Sequence, residues 1–186
     1  EVRDIAFSGD GEPTMIHNFD KVATTVAEVK RAAGLASTKI VLITDAAGLD
    51  KASVRRGLEV LDANEGEVWG KLDAGTAEYF QKVNRTTVKF DRVLDNLRDT
   101  ASERPILIQS LFLKIDGAAM NEAELAAYCG RLNDITAAGG VIREVQAYTV
   151  ARPTPEASAT KLSEAELKDM AEVIRAKTEL AVEVYP

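Results

Sequence analysis

Two short stretches of the chain carry residue types that could do chemistry. The first is Phe7-Ser8-Gly9-Asp10-Gly11-Glu12-Pro13-Thr14, a glycine-rich turn holding two acids. Gly9 and Gly11 permit backbone angles and close approaches that a side chain would block. Pro13 sets the chain direction just after the acid and removes a donor. Glu12 is left with its carboxylate and nearby carbonyls, all acceptors, and such a turn suits a ligand bearing an ammonium group. An ordinary tight strand-to-helix loop has the same composition. The second stretch is Lys71-Leu72-Asp73, a cation and an anion two apart at the end of an extended run. That spacing points both side chains to one face. They could take a ligand's carboxylate and hydroxyls. Lys71 could instead be a Schiff-base amine, as in aldolase-like barrels, or the pair could be a surface ion pair.

Other reactive residue types read as structural. His17 is the one histidine and falls at a solvated helix start. Cys129 is the one thiol, and its spacing with Leu125 and Leu132 puts it on a helix's buried face. A single cysteine excludes an internal disulfide and predicts a reducing, cytoplasmic setting. No cluster has zinc spacing, so no metal ligand is expected. Phe7-Ser8-Gly9 lacks the flanking glycine of a nucleophile elbow. Phe7 and Trp69 read as core, and Arg55 and Arg56 as a solvated face.

The chain has 186 residues, 46% of them hydrophobic, enough for one domain with a core over residues 1–186. A net charge of −7 argues against gripping nucleic acid by the protein's own field. No apolar run is long enough to span a membrane. Strands are predicted at residues 2–7, 39–44, 67–72, 105–113, 141–150 and 181–185. Helices are predicted at 16–33, 53–61, 77–83, 90–100, from Asn121 to the Gly139-Gly140 stop, and from Ser163 to about 178. Asn121 precedes Glu124 at capping-box spacing. Residues 151–160, broken by Pro153 and Pro155, read as the linker-like piece. The β-α alternation with β-branched strands predicts an α/β fold with a parallel sheet, doubly wound or a (β/α) barrel. In either, ligands sit at the carboxyl ends of the strands. There the polar residues gather: Glu12, Thr44, Asp45, Lys71, Asp73, Gln109, Ser110, Gln146 and Tyr148.

Taken in order, Gly11-Glu12-Pro13, Thr44-Asp45-Ala46 and Lys71-Leu72-Asp73-Ala74-Gly75 follow three successive strands. This succession resembles the radical S-adenosylmethionine (SAM) superfamily, and is most similar to the Gly-Glu-Pro branch that includes the wyosine-type tRNA-modifying enzymes. The resemblance implies a partial (β/α) barrel, truncated at its amino-terminal end. It implies that SAM's ammonium falls to Gly11, Glu12 and Pro13, with Thr44 beside them. SAM's carboxylate and ribose would fall to Lys71 and Asp73, and adenine and substrate to Gln109, Gln146 and Tyr148. The family more often has Asn where Asp45 stands. Its activity is reductive cleavage of SAM to a 5′-deoxyadenosyl radical by a [4Fe–4S] cluster held by a Cys-x3-Cys-x2-Cys triad. This chain departs there, because it has no such triad. The first strand and cluster loop are expected upstream of Glu1, so the cluster belongs to a parent protein and this chain alone is expected to be inert in radical chemistry. A missing first strand would also leave an unpaired edge beside residues 2–7, which predicts self-association. The substrate stays open; the branch points to a tRNA base and the acidic charge points away from one. The alternatives are a cluster-free barrel lyase or aldolase using Lys71, and a non-catalytic module that binds SAM or a partner.

Overall fold

A computed structural model describes residues 2–9, 11–152, 154 and 156–186. Asp10, Pro153 and Pro155, placed by the sequence in the first turn and in the late break, lie outside the described residues. The chain divides into two compact units, Glu1–Lys71 and Leu72–Pro186.

The first unit runs β1 (Asp4–Phe7), α1 (Phe19–Ala32), β2 (Lys39–Thr44), α2 (Ala52–Asp62) and β3 (Gly66–Lys71). The strands are parallel, with Ile5 opposite Ile40, Phe7 opposite Leu42, and Thr44 opposite Gly70. Residues 40–43 are all apolar, three of them β-branched, and strands covered on both faces have this character. On one face Ile40 and Leu42 are fully buried. Phe19, Ala23 and Ala27 form the buried stripe of α1, one residue per turn. Burying a side chain of Phe19's size contributes roughly 1.5–3 kcal/mol. Its ring packs at 5.3 Å from that of Phe7. On α2 it faces Gly57, where a Cβ would come within 2.4 Å of the ring. The absent side chain is what lets the two helices close. Lys30, also buried, donates from Nζ to the Asn64 carbonyl at 2.8 Å.

The helix expected at 16–33 begins three residues later than expected, and a separate short turn precedes it. A single 3-10 turn covers Pro13–Met15, the chain is extended at Ile16, and α1 begins at Phe19. Pro13 starts that turn with its fixed φ, and Glu12 caps it by accepting from the Thr14 amide. Apolar spacing does not register such a break, because Met15 and Ile16 fit a helical pattern while remaining exposed.

The second unit runs α3 (Ala77–Asn84), α4 (Phe90–Glu103), β4 (Ile106–Leu111), β5 (Leu113–Ile115), α5 (Glu122–Ala137), β6 (Ile142–Tyr148), β7 (Ala159–Lys161), α6 (Glu164–Thr178) and β8 (Val182–Tyr185). Strands β4, β6 and β8 are parallel, with Gln109 opposite Gln146 and Tyr148 opposite Tyr185. The single strand expected at 105–113 is two. Phe112 is buried edge-on against Tyr128 at 5.5 Å, and its amide donates to the Tyr148 carbonyl at 2.9 Å. After it β5 leaves the sheet and pairs antiparallel with β7. The stretch read as a linker therefore contributes a strand, which its small polar residues do not signal without a partner. Cys129 lies on the buried face of α5, as its spacing predicts.

Candidate functional site

The first unit builds its site around Glu12. The Glu12 Oε1 atom accepts from the Thr14 amide at 3.0 Å, the Thr14 hydroxyl at 2.6 Å and the Thr44 hydroxyl at 2.5 Å. Oε2 accepts from the Asp45 amide at 2.8 Å. Four donors from two loops thus fix one carboxylate, and each bond is charge-assisted. Both threonines are buried. The Thr44 hydroxyl also accepts from the Ala46 amide at 3.0 Å, which ties the turn after β2 to the turn after β1. Ala46 has φ of 64°. Asp45 closes the turn around it by accepting from the Ala47 amide on Oδ1 at 2.8 Å, a side-chain mimic of a backbone turn.

Thr14 is held in turn by two neighbours. Lys51 donates from Nζ to its carbonyl at 3.1 Å. Gly48 lies so close that a Cβ there would stand 2.4 Å from the Thr14 hydroxyl oxygen. The sequence places Thr14 and Gly48 in turns without marking either as a site residue. The available signals were a hydroxyl two residues beyond a capping acid, and a glycine in the turn after β2.

Glu12 and Lys71 open onto one cavity of about 430 Å³, together with Gly11, Pro13, Thr44 and Asp45. Ser8 and Gly9, from the same glycine-rich turn, and Ile43 of β2 complete its described lining; of these only Ile43 lies outside the stretches the sequence points to. The Lys71 ammonium makes no hydrogen bond or ion pair among the described residues. Partial loss of water raises the Asp45 carboxyl above the ordinary aspartate value. The Ala47 amide opposes the rise, the adjacent Glu12 carboxylate adds to it, and the Lys71 charge pulls it back. Among the described residues the cavity lining therefore holds two carboxylates and one ammonium.

The other candidate residues lie in the second unit. Asp73 is buried and accepts from the Leu111 amide at 2.7 Å and from Asn84 Nδ2 at 3.0 Å. It joins the end of β4 to the last turn of α3. Asn84 Oδ1 is buried with no partner among the described residues. Gln109 donates to Gln146 Oε1 at 3.0 Å, and Gln146 donates to Glu144 Oε1 at 3.1 Å, a polar ladder across β4 and β6. Ser110 does not face that ladder. Its hydroxyl donates to the Leu72 carbonyl at 2.7 Å and shares a 2.6 Å hydrogen bond with the buried Tyr128 hydroxyl. Burial, helped by the Asp73 charge, pushes the Tyr148 phenol up.

A second cavity, about 460 Å³, lies in this unit and is lined by Thr76, Tyr79, Lys82, Asn121 and Glu124 among others. Asn121 caps α5 through the Glu124 amide at 2.8 Å. Only half of the expected capping box forms, because the Glu124 carboxylate turns to the Gly75 amide at 2.6 Å, the Thr76 amide at 2.9 Å and the Thr76 hydroxyl at 2.6 Å. The full box occurs at Ser163 and Glu166.

His17 is exposed. Burial raises the Cys129 thiol and the Lys177 charge opposes it. Among the described residues no group of three His, Cys, Asp or Glu side chains could hold a metal ion. No described helix is long and apolar enough to cross a membrane.

No family model matches the chain, and no curated protein matches it. Among solved structures it is similar to a domain of pyruvate-formate lyase-activating enzyme from Bacteroides vulgatus, with a TM-score of 0.66 and 14% identity over 97% of each chain. At that identity the likeness shows the fold alone, an α/β partial barrel of parallel strands.

Proposed function

We propose that this chain provides the SAM pocket of a radical SAM protein of the Gly-Glu-Pro branch. One observation carries the reading: Glu12 and Lys71 line the same cavity. An amino-acid group needs an acceptor for its ammonium and a cation for its carboxylate. Glu12, already fixed by four donors, has little left to reorganise on binding. Among the described residues Lys71 makes no hydrogen bond or ion pair. In this reading the Gly11 and Glu12 carbonyls and the Glu12 carboxylate take the ammonium. Pro13 fixes the turn, Thr44 keeps the carboxylate in place, and Lys71 takes the ligand's carboxylate. The proposal rests on residues of the first unit; Asp73, Gln109 and Gln146 are engaged within the second.

A [4Fe–4S] cluster does not fit the described residues. The one thiol, Cys129, is buried on α5, and among the described residues no three ligating side chains converge. The role assigned to this chain is therefore to bind and orient a sulfonium nucleoside.

Calorimetric titration of the chain with SAM tests this. Measurable binding is expected, weakened about tenfold or more by Glu12→Gln and by Lys71→Ala, since each removes a charge-assisted contact. No binding at millimolar SAM, or binding indifferent to both substitutions, would overturn the proposal.

A further inference from the structure

We infer that Asp45 is a charge-selecting residue of the Glu12–Lys71 pocket: it makes the pocket prefer a sulfonium-bearing amino-acid nucleoside to the uncharged thioether of the same shape. The inference rests on the reading of the pocket as a SAM site. A bound amino-acid group brings one ammonium and one carboxylate, and Glu12 and Lys71 answer these one for one. Among the described residues of the cavity lining, Asp45 is the surplus charge.

Its position follows from the hydrogen bonds around Glu12. Oε1 already receives three donors, which fills an oxygen with two lone pairs. Oε2 receives one, from the Asp45 amide. A ligand ammonium therefore finds its free acceptor at Oε2, the oxygen beside which Asp45 sits. The Asp45 carboxyl cannot swing far, because Oδ1 is held by the Ala47 amide at 2.8 Å. It remains exposed at the cavity wall, so a ligand cation can approach it. In SAM the sulfonium lies about three bonds beyond the carbon that bears the ammonium, so with the ammonium at Oε2 the second cation would come within reach of the Asp45 charge. S-adenosylhomocysteine has the same outline with a neutral sulfur. For unit charges about 5 Å apart at a partly solvated site, Coulomb attraction separates the two ligands by roughly tenfold.

The Kd of SAM and of S-adenosylhomocysteine is measured by calorimetry for the wild-type chain and for Asp45→Asn, at low and at high salt. Asparagine preserves the backbone donor to Glu12 and the acceptor for Ala47, so the variant keeps the turn. Wild type is expected to favour SAM about tenfold, with the preference shrinking at high salt. In the variant the ratio should fall to near one, through weaker SAM binding. An unchanged ratio with both ligands still bound refutes selection by Asp45 and leaves the SAM pocket standing. Failure of wild type to bind either ligand overturns the pocket reading and this inference together.

Discussion

The sharpest structural test replaces Glu12 by glutamine, which keeps the shape and removes the charge. The carboxylate receives four hydrogen bonds at 2.5–3.0 Å. Glutamine has one carbonyl oxygen. If that oxygen stays under Thr14 and Thr44, the amide nitrogen faces the Asp45 N–H, and two donors meet. Losing that bond costs about 1–2 kcal/mol, and converting three charge-assisted bonds to neutral ones costs roughly 0.5–1 kcal/mol each. Relief of repulsion between Glu12 and Asp45 offsets part of this, as does the partial exposure of Glu12. A net loss of about 2 kcal/mol is expected. With a urea m-value of about 2 kcal/mol per molar, the midpoint should fall by about 1 M. The one tryptophan, Trp69 on β3, is held by Glu67 at 3.1 Å, so its fluorescence reports on this unit. Thr44→Val should cost less in the Glu12→Gln background than in wild type, because the two groups share a bond. A midpoint shift below about 0.2 M, or fully additive costs, would refute the claim that the glycine turn is organised by this carboxylate.

Three further outcomes follow from the same contacts. The folded Asp45 pKa lies above the ordinary value of 3.8, so the folded chain holds that proton more tightly than the unfolded chain. Its contribution to stability is greatest below pH 3.8 and declines as pH rises through the folded pKa. Asp45→Asn should therefore stabilise the chain at pH 7 and lose that advantage near pH 3, as read by urea midpoints at both pH values; equal effects at both would contradict this. Gly48→Ala sets a Cβ within 3 Å of Thr14 and should destabilise by about 1–3 kcal/mol while lowering SAM affinity, measured by denaturation and calorimetry. Tyr128→Phe removes a buried hydroxyl bonded to Ser110, and thermal melts should show a loss of about 1–2 kcal/mol.

Much of the architecture is legible in the residues themselves. The β-branched run at 39–44 and the alanine-rich stripe of α1 fix strand and helix by local periodicity alone. Thr44 and Lys71 are visible as site candidates because each ends a strand, and Glu12 because it lies in the turn that follows β1; in parallel α/β folds strand ends converge. Cys129 is identifiable as core from its spacing with Leu125 and Leu132. Periodicity fails where a partner distant in sequence decides the outcome. The run at 105–113 reads as one strand, yet the sheet strand ends at Leu111 and β5 beyond Phe112 pairs with β7 instead. Glu124 reads as half of a capping box, yet its carboxylate goes to the turn at Gly75 and Thr76.

Residue order alone dictates which side-chain types stand at the strand ends, and therefore which chemistry the chain could attempt. How those side chains are used depends on the folded arrangement. It brought Glu12, Asp45 and Lys71 to one cavity and drew Asp73 into a bond with the Leu111 amide. Hydrogen bonds and charges act through space over a few ångströms, and separation along the chain does not encode that distance.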